Sequence, residues 1–348
     1  MPETTPDALQ PPAAPLPQPR PGWRRPSARL VSLAISGSLL VGLYRSINMR
    51  LVGEALRGAD TVWLVISLGV IAPITVMRAL RFRWVTPAAA LPGVGEALRL
   101  TLVASALNVF VPAKAGDLIK SYFVAKRGGT SAGVALAIVV YERLCDLLGL
   151  IVWCMVGWLV GVPPAAGIPS AFWPLLGAVG VVCAVLILSV RAADLWRAGT
   201  ARALPHRRLR RLRDLAEGWP VLLQALRARR GGIALFSILL WLVHLTQIWM
   251  FTVALSVRVP FTVCASLSAI ALMAGQIPLT FAGLGARDVA LVVLLAGSMT
   301  PEEAAAMGIL MSTRSLLPPL AALPILRPYL AAVAEEARAW RPEREWVG

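Results

Sequence analysis

The sequence predicts an all-α fold: a polytopic integral membrane protein of about 6–8 transmembrane helices with two broken or re-entrant hairpins. Three observations predict it. First, 57% of the 348 residues are hydrophobic and the mean hydropathy is +0.71. Charged residues make up 15%, against about 25% in an ordinary soluble domain. A soluble chain of this length could not hide so much apolar surface in one core, so the bilayer is the solvent that fits. Second, the apolar residues fall in runs comparable to the span of a hydrocarbon core. Third, the net charge of +16 sits in the segments between those runs. That is the positive-inside pattern of a membrane protein, and it argues against nucleic acid as the partner of this basic chain.

The elements follow in order. Residues 1–27 are Pro-rich without an apolar run and are expected to be a disordered cytoplasmic tail with no cleavable signal peptide. The first span is expected at about 28–46, behind Arg20, Arg24, Arg25 and Arg29. The second is expected at about 61–79, with Arg78, Arg81 and Arg83 taken as its cytoplasmic flank. Residues 97–111 are short for a span and lead into PAKAGDLIK; a hairpin entering from the cytoplasm is expected. Residues 131–162 should cross outward, broken only by Glu142, Arg143 and Asp146. Residues 171–190 should return. The stretch 191–230 holds eleven Arg and three acids and reads as a basic cytoplasmic loop. Residues 231–257 should cross outward, 261–281 and 289–298 should form a second hairpin, and 304–326 should be the last span. The membrane domain is thus placed at 28–333, with a cytoplasmic tail at 334–348 and the N-terminus inside a bacterial inner membrane.

Both interrupted segments carry a Pro, then Gly, then an acid: VPAKAGD and IPLTFAGLGARD. Paired Gly/Pro breaks in the two halves of a transporter point to its binding site. The similarity covers only these residues, so an inverted repeat and two unrelated breaks both stay open.

Three clusters could carry chemistry. Glu142, Arg143 and Asp146 lie within one apolar helix. Unpaired at mid-membrane they would cost on the order of 8–10 kcal/mol, so they must be paired or line a wet cavity. Glu142 and Asp146 share a helix face, and Arg143 can bridge to Asp146. A self-satisfied ion cluster and a polar groove for a headgroup or ion both fit. The second cluster is Asn108, Pro112, Lys114, Gly116, Asp117 and Lys120. Pro and Gly there free backbone groups, and a helix restarting near Asp117 presents N–H groups to an anion; an interfacial loop with snorkelling lysines is the plainer alternative. The third is Pro278, Gly283, Gly285, Arg287 and Asp288. Arg287 could hold a phosphate bidentately or simply pair with Asp288. Arg314, inside the last run, is a candidate partner for a carboxylate. Trp241, His244 and Gln247 share a face of another span and read as packing and interhelical hydrogen bonds. The four cysteines read as small buried hydrophobes. Two histidines leave little material for a zinc site, and no metal or cofactor is expected.

At these residues the sequence resembles a known family. The stretch VPAKAGDLIKSYFVAKRGGTSAGVALAIVVYERLCDLLGL is similar to the signature of the lysylphosphatidylglycerol synthase transmembrane region, or flippase-like domain: Pro–x–x–x–Gly–acid–x–x–Arg, then Arg–x–x–Asp. PLTFAGLGARD looks like its second motif, Gly–Leu–Gly–x–Arg–Glu. The resemblance covers about residues 30–330 and implies importance for Pro112, Gly116, Asp117, Arg143, Asp146, Pro278, Gly283, Gly285 and Arg287. Lys120 stands where Arg is usual, and Asp288 where Glu is usual. Full-length lysyl-lipid synthases of the family carry a soluble aminoacyltransferase domain that is not found in these residues, so the resemblance implies a stand-alone lipid transporter or flippase.

The leading expectation is therefore translocation of a polar or anionic membrane lipid, with Lys114, Lys120, Arg143 or Arg287 on its phosphate and Glu142, Asp117 and Asp146 balancing charge or carrying protons. A scaffold that organises lipid-synthesis enzymes through the basic loop is a rival. An enzyme on a lipid-linked substrate is another, weakened by the absence of Asp–x–Asp, His–x4–Asp and Ser–His patterns, so no enzymatic activity is expected.

Overall fold

The computed structural model describes residues 26–110, 116–128, 130–162, 168–203, 210–276 and 285–339. Among them every regular element is a helix. In chain order these are α1 (Pro26–Ser46), α2 (Met49–Arg57), α3 (Thr61–Gly69), α4 (Ile71–Val85), α5 (Val94–Phe110), α6 (Asp117–Gly128), α7 (Ala132–Leu159), α8 (Phe172–Leu188), α9 (Val190–Ala203), α10 (Arg210–Ala225), α11 (Arg230–Ala254), α12 (Phe261–Ala274), α13 (Ala286–Leu295) and α14 (Pro301–Ala339).

Three helical segments are long and apolar enough to cross a membrane by themselves: 61–85 (α3 with α4), 230–254 and 301–332. At 1.5 Å per residue the 28 residues of α7 reach about 42 Å, also ample, but α7 carries Glu142, Arg143 and Asp146 in its middle. The outward faces of α1, α3, α8 and α14 expose Val31, Val65, Leu175, Val181, Leu320 and Leu323. Exposed apolar stripes of this extent belong against acyl chains.

Two short contacts fix one face of the bundle. The Asp60 N–H donates to the Ala254 carbonyl at 2.7 Å, tying the start of α3 to the end of α11. The Asn48 N–H donates to Glu302 Oε1 at 3.3 Å, tying α2 to the start of α14. Asp60 also caps α3, its carboxylate accepting from the N–H groups of Val62 and Trp63 at 2.8 and 3.1 Å. The opposite face carries the starts of α5 and α7, the end of α14, and α10. We call these the far and near faces.

The two interrupted segments are hairpins of part-spans. α5 packs on α6, and α12 on α13. The arms of α12 and α13, 14 and 10 residues, reach only about 21 and 15 Å, short of a core about 30 Å thick. Each hairpin is flanked by spans in the same order: α3–α4, hairpin, α7; then α11, hairpin, α14. The packing is also reciprocal. α5 lies against α14, the closing span of the second half, while α12 lies against α7, the closing span of the first. Both patterns favour the repeat over two unrelated breaks.

The structure corrects three sequence expectations. The second span runs on to Val85, so Arg78, Arg81 and Arg83 lie inside a helix and Arg81 is 1% exposed. A guanidinium placed this deep has a carboxylate to reach, as shown below. The basic stretch 191–230 holds helices as well as a loop. α8 and α9 meet at 93°, and α10 packs on α7, with Leu215, Trp219, Leu222 and Leu223 buried at helical spacing. The last helix continues to Ala339 through Pro318, Pro319, Pro324 and Pro328. Each proline removes one hydrogen bond of the helix, which helix packing within a bundle tolerates.

Candidate functional site

Six charged side chains from α4, α6 and α7 close a ring of alternating sign. Lys120 lies 3.6 Å from Asp117 and 3.3 Å from Glu142. Glu142 lies 3.7 Å from Arg81. Arg81 Nη1 donates to Asp146 Oδ1 at 2.7 Å. Arg143 Nη2 then lies 3.3 Å from Asp146 and 3.3 Å from Asp117, which completes the circuit. Three cations meet three carboxylates. The Arg143 side chain is 28% exposed and the other five at most 8%. The ring is therefore least shielded at Arg143.

Local structure explains the placement. Gly116 precedes α6 where a Cβ would stand 2.6 Å from the Ala104 carbonyl oxygen and 2.7 Å from Asn108, so only glycine lets Asp117 start its helix against α5. Asn108 Oδ1, both Asp117 oxygens, Arg81 Nε and Arg143 Nε are buried and make no hydrogen bond among the described residues. Lys120 Nζ also sits 4.9 Å over the Phe82 ring. It serves two carboxylates as a point charge, a task that does not need the arginine usual in the resembled motif.

The second charged group joins α13 to α14. Gly285 adopts φ +88°, a left-handed conformation natural to glycine, and opens α13. Asp288 Oδ2 accepts the Gly285 N–H at 3.1 Å, while Oδ1 accepts from Arg287 Nε and Nη2 at 3.1 and 2.6 Å. Arg287 Nη2 also donates to the Gly308 carbonyl and the Ser312 hydroxyl, at 3.2 and 2.7 Å. Of the two roles weighed for Arg287, pairing with Asp288 is the one seen. Arg314 is not the carboxylate partner expected. It donates to Gln247 Oε1 at 2.7 Å and meets no carboxylate among the described residues, because Arg287 already holds Asp288. Pro112, Lys114, Pro278 and Gly283 lie outside the described residues.

A polar stripe on α11 links the groups. Ser237 Oγ accepts from Arg81 at 3.3 Å and Trp241 Nε1 donates to Asp146 at 3.3 Å. The Trp241 and His244 rings lie 4.9 Å apart. Gln247 Nε2 donates to the Ser67 carbonyl at 2.7 Å while its Oε1 takes Arg314. From Ser237 to Gln247 the stripe rises about 15 Å, half the hydrocarbon thickness.

Sequence reasoning missed Arg81, because arginines after an apolar run look like a cytoplasmic flank. The run Ile71–Val85 read as one helix with a single polar face at Arg78 and Arg81 was the available signal. It also missed a clamp on the near face. Glu96 pairs with Arg127 and accepts from Tyr329 Oη at 2.8 Å. These residues, with Arg99, Phe123 and Pro328, line a cavity of about 710 Å³ between α5, α6 and α14.

Fold and site together define a polytopic helical membrane protein with charged groups paired inside its bundle. The family model described as Lysylphosphatidylglycerol synthase TM region matches residues 29–322, and the chain belongs to that family. This makes it a membrane protein of lipid metabolism or transport. A comparison with curated proteins gives no match.

Proposed function

We propose that the protein moves a lipid with a polar or anionic headgroup across a bacterial inner membrane, with its N-terminus and near face cytoplasmic. The observation that carries this reading is the α11 stripe. It continues the ring of charges for about 15 Å toward Arg314, inside a bundle whose outer surface is apolar. Headgroups cross hydrocarbon only where polar groups replace their water. The acyl chains would stay in the bilayer while the headgroup follows the stripe. The excess of Arg on α9 and α10 supports the cytoplasmic assignment.

One observation favours a second reading. The ring is neutral and closed, as a purely structural ion cluster would be. In that case the protein would serve as a scaffold for lipid-synthesis enzymes, with α9 and α10 as its docking surface.

Reconstitution decides between them. Liposomes containing the protein and fluorescently labelled phosphatidylglycerol or phosphatidylcholine are bleached from outside with a membrane-impermeant reductant. The transport reading expects protein-dependent loss of the protected inner fraction for at least one lipid. The scaffold reading expects the protected fraction of empty liposomes with every lipid.

A further inference from the structure

Ten charged side chains gather at the ring, at the α13–α14 pair and along the α11 stripe among the described residues. Six are cations: Arg78, Arg81, Lys120, Arg143, Arg287 and Arg314. Four are carboxylates: Asp117, Glu142, Asp146 and Asp288. Six less four leaves an excess of two positive charges. The pairings show which two. Arg81, Lys120 and Arg143 are matched inside the ring, and Arg287 is matched to Asp288. Among the described residues Arg78 makes no ion pair within 4 Å, although the Asp146 and Asp117 carboxylates of the ring act on it from farther off, and Arg314, 8% exposed, has only the neutral Gln247 amide.

The helices that carry them, α4 and α14, pack on each other, and both pack on α11. Arg314 lies within electrostatic reach of Arg78. His244 lies within reach of both, and its Nδ1 is buried without a hydrogen bond among the described residues. The two interrupted segments differ at this place. Arg143 follows Asp117 by 26 residues, and Arg314 follows Asp288 by the same 26 (143 − 117 and 314 − 288). In the first half the arginine holds its acid at 3.3 Å. In the second half Arg287 has taken the acid, and the equivalent arginine is left facing the α11 stripe.

Deep guanidiniums are costly unless something negative meets them. Gln247 fixes one edge of Arg314 and leaves its remaining N–H groups in a planar fork, the geometry that suits a phosphate or carboxylate. We propose that Arg78 and Arg314, with His244 within reach of both, form an anion subsite on the α11 stripe that takes a phosphate group. This rests on the transport reading in one respect, that a lipid phosphodiester reaches the stripe. A free phosphate ion would supply the same chemistry.

The test uses the full chain purified in detergent and isothermal titration with three probes: dioctanoyl-phosphatidylglycerol, dioctanoylglycerol and inorganic phosphate. Supporting results are phosphatidylglycerol binding that Arg78→Gln and Arg314→Gln each weaken about tenfold or more, with dioctanoylglycerol failing to bind. Inorganic phosphate binding that needs both arginines also supports the subsite and names the free ion as its source. Equal binding of dioctanoylglycerol, or unchanged binding by both variants, overturns the proposal. If a glutamine variant does not fold, the wild type still decides. Phosphatidylglycerol must raise its melting temperature and dioctanoylglycerol must not, and no rise overturns the proposal. The two readings fail separately. Lipid movement in liposomes with arginine-independent binding sinks the subsite alone, and arginine-dependent binding without lipid movement sinks the transport reading alone.

Discussion

Arg81 and Asp146 stand 65 residues apart in sequence and 2.7 Å apart in space, and each is almost fully shielded. This contact bolts α4 to α7 and holds the ring of six charges in register. Removing one partner of a buried pair strands the other, at a cost of about 3–5 kcal/mol. Arg81→Gln is therefore expected to lower the melting temperature of the detergent-purified protein sharply. Adding Asp146→Asn should recover part of that loss, because the stranded carboxylate is gone. A double variant no more stable than Arg81→Gln alone would count against this coupling.

The hairpin tip depends on the space beside Gly116. A methyl group there overlaps the α5 backbone, and overpacking of this kind costs about 1–3 kcal/mol. Gly116→Ala should lower stability by that amount, measured by thermal unfolding. Gly37→Ala, with nothing within 4 Å of its new methyl, should leave it unchanged.

Asp288 has two separable tasks. It caps α13 through the Gly285 N–H and neutralises Arg287. Asn can keep the cap but not the charge, and Ala keeps neither. Asp288→Ala should be less stable than Asp288→Asn by about 1 kcal/mol, the worth of an N-cap. Equal melting temperatures would remove the capping role.

The near-face clamp should behave differently from the ring, because it is wetter. The Arg127 side chain is 39% exposed, and exposed ion pairs contribute roughly 0–1 kcal/mol. Arg127→Ala is expected to cost no more than that at low salt, and to cost nothing measurable at about 1 M salt, where surface charges are screened. A large, salt-independent loss would show that the clamp is as buried as the ring.

The all-helical membrane fold was legible because runs of apolar residues and loop arginines report directly on the bilayer. The two hairpins were legible for the same reason: α5 and α12 begin apolar runs that Pro112 and Pro278 cut short. Glu142, Arg143 and Asp146 stood out because charge within such a run is costly. Arg81 did not, because its sequence context cannot distinguish an arginine at the membrane edge from one drawn inward. Only the packing of α4 on α11, beside α7, reveals that. Arg314 was recognised as buried but given the wrong partner, since sequence cannot show that Arg287 reaches Asp288 first. The length of α10 was hidden by its arginines, although Leu215, Trp219, Leu222 and Leu223 carry the helical spacing.

The central claim is that the α11 stripe is a path for headgroups. His244 tests it most directly, because among the described residues its Nδ1 has no hydrogen-bond partner whose loss would unsettle the fold. Labelled-lipid movement should be measured in liposomes for the wild type and for His244→Leu, alongside the melting temperature of each. The account predicts movement by the wild type and about tenfold slower movement by the variant, equivalent to ~1.4 kcal/mol on the barrier, with little change in melting. Movement by His244→Leu at the wild-type rate, or none by the wild type with any lipid, would contradict it.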